Sequence, residues 1–261
     1  MRTTTRGRIL GIIEKGGPAR PHDLVKRLGL SNQAIHRHLQ SLVAHGVLET
    51  HGAPPVTRYG LAGIPDLAAA GRWFAAARAK EPPSDTVCET RDRFSARLSA
   101  FKALTKQGLA AEDLPLVVSV VGEIGNNSFD HNIGQWRDIP GCWFEIQVRS
   151  RTLFTCIADR GQGVHASLGR VIPNIPDDQA ALEMAFEQQV SGRSPEQRGN
   201  GLKFVKNVIL GARGRGVACV SGTGRIRYGE RGETCLKILD RDPPRSPGTL
   251  TLVAWELGAA K

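Results

Sequence analysis

Apolar positions recur at helical spacing in three short stretches at the start of the chain. Residues 6–14 carry Ile9, Leu10, Ile12 and Ile13, enough for a short amphipathic helix that Gly16, Gly17 and Pro18 end. Residues 21–28 place Leu24, Val25 and Leu28 on one side, and Gly29 and Leu30 make a turn. Ser31 then stands where a third helix, running to about residue 44, needs its N-cap. The inward positions of that helix are Ile35, Leu39, Leu42 and Val43; Asn32, Gln33, His36, Arg37 and Gln40 point outward. Two β-prone runs, residues 46–51 and 56–61, flank Gly52, Pro54 and Pro55 and predict a β-hairpin.

The pattern then changes. Residues 66–80 are alanine-rich and predicted helical, and the prolines of residues 81–85 mark a domain boundary. Phe94, Leu98, Phe101 and Leu104 give residues 89–107 an amphipathic helix, read as core packing with a dimer seam as the alternative. The apolar run 114–121 continues as a helix towards residue 131, with Leu116, Val117, Val120, Val121 and Ile124 on one side. Glu123, Asn127 and His131 follow each other at four-residue intervals, so the pattern aligns them on one stripe. Residues 142–149 alternate, with Cys142, Phe144, Ile146 and Val148 on one face, and residues 152–158 return as the second strand of a hairpin. Residues 164–198 form a long polar segment with one helical stretch at 178–188 and read as a lid. Residues 199–210 are a glycine-rich loop opening a helix with Leu202, Val205 and Ile209 inward; residues 217–221, 225–228, 234–239 and 249–256 read as strands completing a sheet.

Charge adds a direction to this picture. The 261 residues include 35 Lys and Arg against 25 Asp and Glu, a net charge of +10. Residues 1–80 hold 12 basic and 4 acidic side chains, a net of +8, which leaves 23 and 21, a net of +2, for the rest. A concentrated basic surface favours a polyanion through counterion release. The five cysteines are scattered without a metal-ligand spacing, which suits reduced thiols in a cytoplasmic protein. No apolar run is long enough to span a bilayer and the first residues lack an apolar signal core, so no membrane partner is expected.

The order helix, glycine turn, polar-faced helix and hairpin resembles the winged helix-turn-helix domain of bacterial transcription regulators over about residues 5–62. The resemblance implies double-stranded DNA as a partner. Asn32, Gln33, His36 and Arg37 would face the major groove, and Arg58 in the wing would meet phosphate or the minor groove. A protein-interaction winged helix is the alternative, and the net of +8 weighs against it.

Three polar motifs carry the chemistry of the remainder. Glu123, Asn127 and His131 beside a buried face are costly to desolvate; they read as metal–phosphate ligands or as a solvated helix face ending in a polar loop. Asp159, at a strand end before Gly161 and Gly163, suits a ligand that donates from an exocyclic amine, although such loops are common on their own. Gly199 and Gly201 open a helix, where free N–H groups and the dipole attract phosphate. In this order, closed by the run 248–255, the motifs resemble the GHKL ATPase superfamily over about residues 90–257. That group includes gyrase, heat-shock chaperone ATPases, histidine kinases, mismatch-repair ATPases and anti-sigma serine kinases.

The resemblance implies an α+β protein: a winged helix-turn-helix at 1–64, a helical connector at 65–88, and at 89–261 a Bergerat-type α/β sandwich, with helices on one face of a mixed sheet and ATP beneath a lid. It implies that Asn127 coordinates Mg²⁺, that Asp159 receives the adenine amino group, and that Gly161 and Gly163 line the base pocket. Gly199, Gly201 and Leu202 would lie beside the phosphates, and Glu123 would orient an attacking water. Arg198 and Lys203 join them as phosphate neighbours on charge and position alone. The expected function is a DNA-binding regulator switched by Mg-ATP with slow or no hydrolysis; a homodimer is admitted. The alternative is an anti-sigma-like or histidine-kinase-like enzyme acting on a partner protein, and the absence of histidine from residues 89–107 argues against a histidine autokinase.

Overall fold

The computed structural model describes residues 4–44, 47–80, 86–187, 201–240 and 246–258. The chain forms two compact units, Met1–Ala69 and Ala70–Lys261. Among the described residues no helix is long and apolar enough to cross a membrane.

The first unit contains α1 (Thr5–Gly16), α2 (Pro21–Leu28), α3 (Asn32–Ala44), β1 (Leu48–His51) and β2 (Arg58–Leu61). Local chemistry sets the helix ends. Thr4 Oγ1 accepts from the Gly7 amide at 3.2 Å, and Ser31 Oγ accepts from the Ala34 amide at 3.2 Å, as its N-cap position predicts. Gly29, at φ 66°, closes α2 by donating its N–H to Val25 O. Ile9, Ile13, Leu24, Ile35, Leu39, Leu42 and Leu48 pack into the unit's core. β1 and β2 pair antiparallel from Leu48 opposite Leu61 to His51 opposite Arg58, and a bridge between Ala19 and Tyr59 attaches the link between α1 and α2 to the hairpin.

The second unit begins within the first turn of α4 (Ala68–Ala75), at Ala70. It contains β3 (Val87–Cys88), α5 (Arg91–Leu98), a 3₁₀ helix (Ser99–Gln107), α6 (Asp113–Asp130), β4 (Cys142–Arg149), β5 (Thr152–Asp159), α7 (Val164–Leu168), α8 (Asp178–Glu187), α9 (Gly201–Leu210), β6 (Arg215–Ser221), β7 (Gly224–Tyr228), α10 (Gly232–Leu239) and β8 (Thr249–Glu256). The sheet order is β3-β4-β5-β8-β6-β7. Val120, Val121 and Ile124 of α6 and Val205 and Ile209 of α9 share one core with Phe94, Phe101, Phe144, Val217, Val253 and Trp255.

Two expectations are corrected here. The sheet is not mixed: every pairing among the described strands is antiparallel. β4–β5 and β6–β7 are hairpins with short turns, antiparallel by construction, and β8 enters between β5 and β6 and runs against both. Ser150 and Arg151, both at positive φ, close the first hairpin in the manner of a two-residue primed turn. Residues 234–239, expected as a strand, lie in α10, where Cys235, Ile238 and Leu239 are buried at helical spacing. The units divide between Ala69 and Ala70, inside the stretch 65–88, and Val87 and Cys88 join the sheet as an edge strand opposite Trp143 and Cys142. The boundary prolines, residues 82 and 83, lie outside the described residues, as does the end of the expected lid, which is described to residue 187 and holds α7 and α8.

Candidate functional site

In the first unit α3 turns Ile35, Leu39 and Leu42 into the core and leaves Asn32, Gln33, His36 and Arg37 exposed. These four side chains share the outer surface of one helix, with Asn32 and Gln33 in the turn that Ser31 caps. Arg58 differs. It is half-buried at the start of β2, and its Nη1 lies 3.4 Å from Asp66 Oδ2, while Asp66 Oδ1 accepts from the Ala68 amide at 3.0 Å. A single-pronged pair at that distance is weak, so it leaves most of the Arg58 charge available to an anion.

In the second unit the polar groups converge on the end of β5. Asp159 lies opposite Cys142 of β4 and Thr249 of β8 and is only 2% exposed. Its Oδ1 accepts from the Gly161 amide at 2.9 Å and from Asn132 Nδ2 at 3.1 Å; its Oδ2 accepts from the Thr249 hydroxyl and, at 3.4 Å, from Ser128 Oγ. Burial raises the Asp159 carboxyl above its ordinary range, and the bonds from Thr249, Gly161 and Asn132 oppose that rise. Gly161 is required by close approach: a Cβ there would fall onto the Asn132 amide. Gly163 has φ 84°, and a Cβ there would press on Ser221 Oγ at 3.1 Å and Gly248 N at 3.3 Å. Ser221 Oγ donates to Gly248 O at 2.9 Å and accepts from the Val164 amide at 3.0 Å, tying β6, β8 and α7 together behind this loop.

The other predicted residues line α6 and the start of α9. Glu123 is exposed and Asn127, one turn later, is half-buried. Gly201 begins α9 beside the Glu123 carboxylate, and a Cβ at Gly201 would collide with Glu123 Oε2. Leu202 packs against the core and Lys203 is exposed. Ser128 follows Asn127 and reaches Asp159, so one helix serves both parts of the site. His131 takes a different role: its carbonyl accepts from Gln162 Nε2, and its Nδ1 lies 3.3 Å from Ser167 Oγ. Arg198 and Gly199 lie outside the described residues. Sequence reasoning missed Ser128, Asn132, Ser221 and Thr249. Ser128 lies within the Glu123 motif, but nothing local marks the other three.

The residue after Asp159 faces the other way. Arg160 is fully buried; it holds Asp138 with Nε and Nη2, both at 2.7 Å, and donates to the carbonyls of Trp73, Phe74 and Ala76 at the end of α4. The Arg160 guanidinium keeps the Asp138 carboxyl well below the usual carboxylate range.

Residues 3–58 match the family model described as the MarR family, a span that takes in α1, α2, α3 and β1 and ends at the first residue of β2. The match supports the winged helix-turn-helix reading of the first unit. No curated protein matches the chain.

Proposed function

We propose that the protein is a DNA-binding transcription regulator whose second unit binds Mg-ATP and uses it as a switch. The DNA half rests on the MarR-family match together with the exposed polar surface of α3 and the net of +8 in residues 1–80. Asn32, Gln33, His36 and Arg37 enter the major groove, and Arg58 meets the backbone beside it.

The nucleotide half rests on one observation: a buried carboxylate, Asp159, at a strand end, surrounded by neutral donors and flanked by glycines that leave no room for side chains. The resemblance to GHKL ATPases reads that group as the acceptor for an adenine amino group. The donor set fits such a ligand in two further respects. Gly201 opens α9 beside Glu123, where α9's first amides and dipole suit phosphate. Asn126 Oδ1, next to Asn127 on α6, is buried without a hydrogen-bond partner among the described residues. Asn127 supplies the amide oxygen that would hold Mg²⁺, and the ion would neutralise phosphate charge. Lys203 adds positive charge at the same helix start; Arg198 and Gly199 belong to the same expectation. Glu123 is exposed beside Gly201 and in this reading would orient a water, which keeps phosphate transfer to a partner protein as the second reading.

The test is fluorescence anisotropy of the full chain on labelled promoter DNA, with and without saturating Mg-ATP. Binding that changes with nucleotide in the native protein, and no longer changes in Asn127→Ala, is the expected result. DNA affinity indifferent to nucleotide would remove the switch, and transfer of labelled phosphate to a neighbour-encoded protein would favour the second reading.

A further inference from the structure

A carboxylate can accept an amino group only while it is ionised. Protonated, Asp159 would present a donor where an acceptor is needed, and its 2% exposure favours the protonated form. Its neighbours differ in how well they resist this, and besides the Gly161 amide the Thr249 amide on β8 is a fixed backbone donor. The hydroxyls of Thr249 and Ser128 can rotate, so they serve an ionised or a neutral acid alike. The Gly161 amide is a fixed donor, but it belongs to the loop that must itself be held. Asn132 is the one side chain that is a donor in a locked orientation. Its Nδ2 donates to Asp159 Oδ1 at 3.1 Å and to Ser128 O at 3.0 Å, while its Oδ1 accepts from the Gln162 amide at 3.1 Å. Turning the amide over would set its oxygen against two acceptors and its nitrogen against the Gln162 N–H. Asn132 is 4% exposed, and Gly161 lacks the Cβ that would push it away.

We propose that Asn132 is a positioning residue: its locked amide holds Asp159 as an ionised acceptor and fixes the turn at Gly161 and Gln162, and so sets the pH range over which an amino-bearing nucleobase is recognised. The inference rests on the proposed ATP reading for its ligand and on the network alone for the state of Asp159. The other titratable groups acting on Asp159 do not substitute for Asn132. The Cys142 thiol is kept protonated by its hydrogen bond to the Cys88 sulfur, whose own value that bond lowers to about 6, and by burial, and burial pushes the Cys219 thiol up to about 12. Arg137 attracts the carboxylate, but its Nη2 is bound to Phe74 O at 3.0 Å on the Arg160 side. The His131 ring turns to Ser167.

Asn132→Asp tests this, because it keeps the acceptor for Gln162 and replaces the fixed donor with a second acid. Mg-ATP affinity is measured by calorimetry on the full chain from about pH 5.5 to about pH 8.5, a range that brackets a carboxyl raised by a neighbouring acid. The native protein should show the flatter profile of the two. The variant should lose about tenfold or more on the acidic side and recover as pH rises. Asn132→Ala should shift in the same direction by less, and it carries the test if the aspartate variant does not fold. Parallel profiles in native and variant proteins, whatever the overall loss, would overturn the proposal. A second readout does not need nucleotide: the Asp159 carboxyl carbon, followed by NMR in aspartate-labelled protein and assigned with Asp159→Asn, should titrate at higher pH in either Asn132 variant. If that signal moves while the native protein fails to bind Mg-ATP, the ligand reading falls and the positioning role stands. If the signal does not move, the positioning role falls.

Discussion

Asp159 and Arg160 are consecutive at the end of β5, both are almost entirely out of solvent, and they have opposite fates. Successive residues at a strand end face opposite sides, so each charge meets a different set of partners. Arg160 meets a full countercharge in Asp138 and three carbonyls at the end of α4. Asp159 is in contact only with neutral donors. The two carboxyls shift in opposite directions: Asp138, at the surface, is pulled down by the Arg160 guanidinium, and Asp159 is pushed up by burial without a countercharge. A compensated buried charge holds a fold together; a carboxylate kept buried without countercharge is strained unless something else requires it. That contrast places Arg160 in the architecture and makes Asp159 the candidate for the proposed recognition role.

The largest effect that would test the contrast is loss of the clamp. Arg160→Met removes the guanidinium from Asp138, which keeps the Ala79 and Ile139 amides, and from the carbonyls of Trp73, Phe74 and Ala76, of which Phe74 O keeps Arg137. It should cost about 2–3 kcal/mol of stability in urea denaturation, as the buried carbonyls of Trp73 and Ala76 lose their donor. A loss below about 1 kcal/mol would show that water replaces the guanidinium and that Arg160 is not structural. Asp159→Asn should behave in the opposite sense. Both Oδ2 partners are hydroxyls that can turn to accept from an amide, so the stability change should be well under that of Arg160→Met. Mg-ATP affinity should fall about 10- to 100-fold, the worth of a charge-assisted hydrogen bond. An equal loss of stability in both variants would erase the distinction.

The pH dependence of stability sharpens it further. Asp159 has a folded-state pKa above its unfolded value, so the native state binds the proton more tightly. Its contribution makes the fold more stable as pH falls from neutral through the folded value towards the ordinary carboxylate range near about 4. Asp138 has a depressed folded value, so its contribution is full above that range and is lost only in stronger acid. Denaturation at a series of pH values should therefore show Asp159→Asn lacking the gain on mild acidification, whereas Asp138→Asn should lose stability throughout and lack the steep loss in strong acid. The same slope in the native protein and in Asp159→Asn would mean that Asp159 is not the raised group.

The contrast also explains what could be read from the sequence. The first unit was almost wholly legible because its apolar positions keep a helical period and its ends carry local signals, Gly29 and Ser31. Asp159, Gly161, Gly163, Glu123 and Gly201 were legible as motifs, since spacing along one segment decides where each lies. Thr249 was not: it faces Asp159 only because β8 inserts between β5 and β6, a fact of register. Asn132 and Arg160 were hidden for the same reason, since their partners are set by how segments distant in sequence meet. The run 234–239 was misread because six residues of mixed polarity suit either period, and α10 is decided by which of them find a core. The direction of the strands came from the family expectation rather than from the residues, and there the antiparallel pairing differs.

The smallest effect concerns an exposed group, where neither burial nor a countercharge amplifies a change. Ser31 Oγ holds one amide, that of Ala34, at the start of α3. Ser31→Ala should cost about 1 kcal/mol, read as a small drop in the thermal midpoint. Because Asn32 and Gln33 occupy that first turn, a frayed α3 should also weaken DNA binding a few-fold. Ser31→Asp separates the two consequences. Aspartate is as good an N-cap and its charge suits the helix dipole, so stability should match the native protein. The same charge would face DNA phosphates if the start of α3 enters the groove, so DNA affinity should still fall, and more at low salt than at high salt. Native-like DNA affinity in Ser31→Asp would place the DNA elsewhere than at the start of α3.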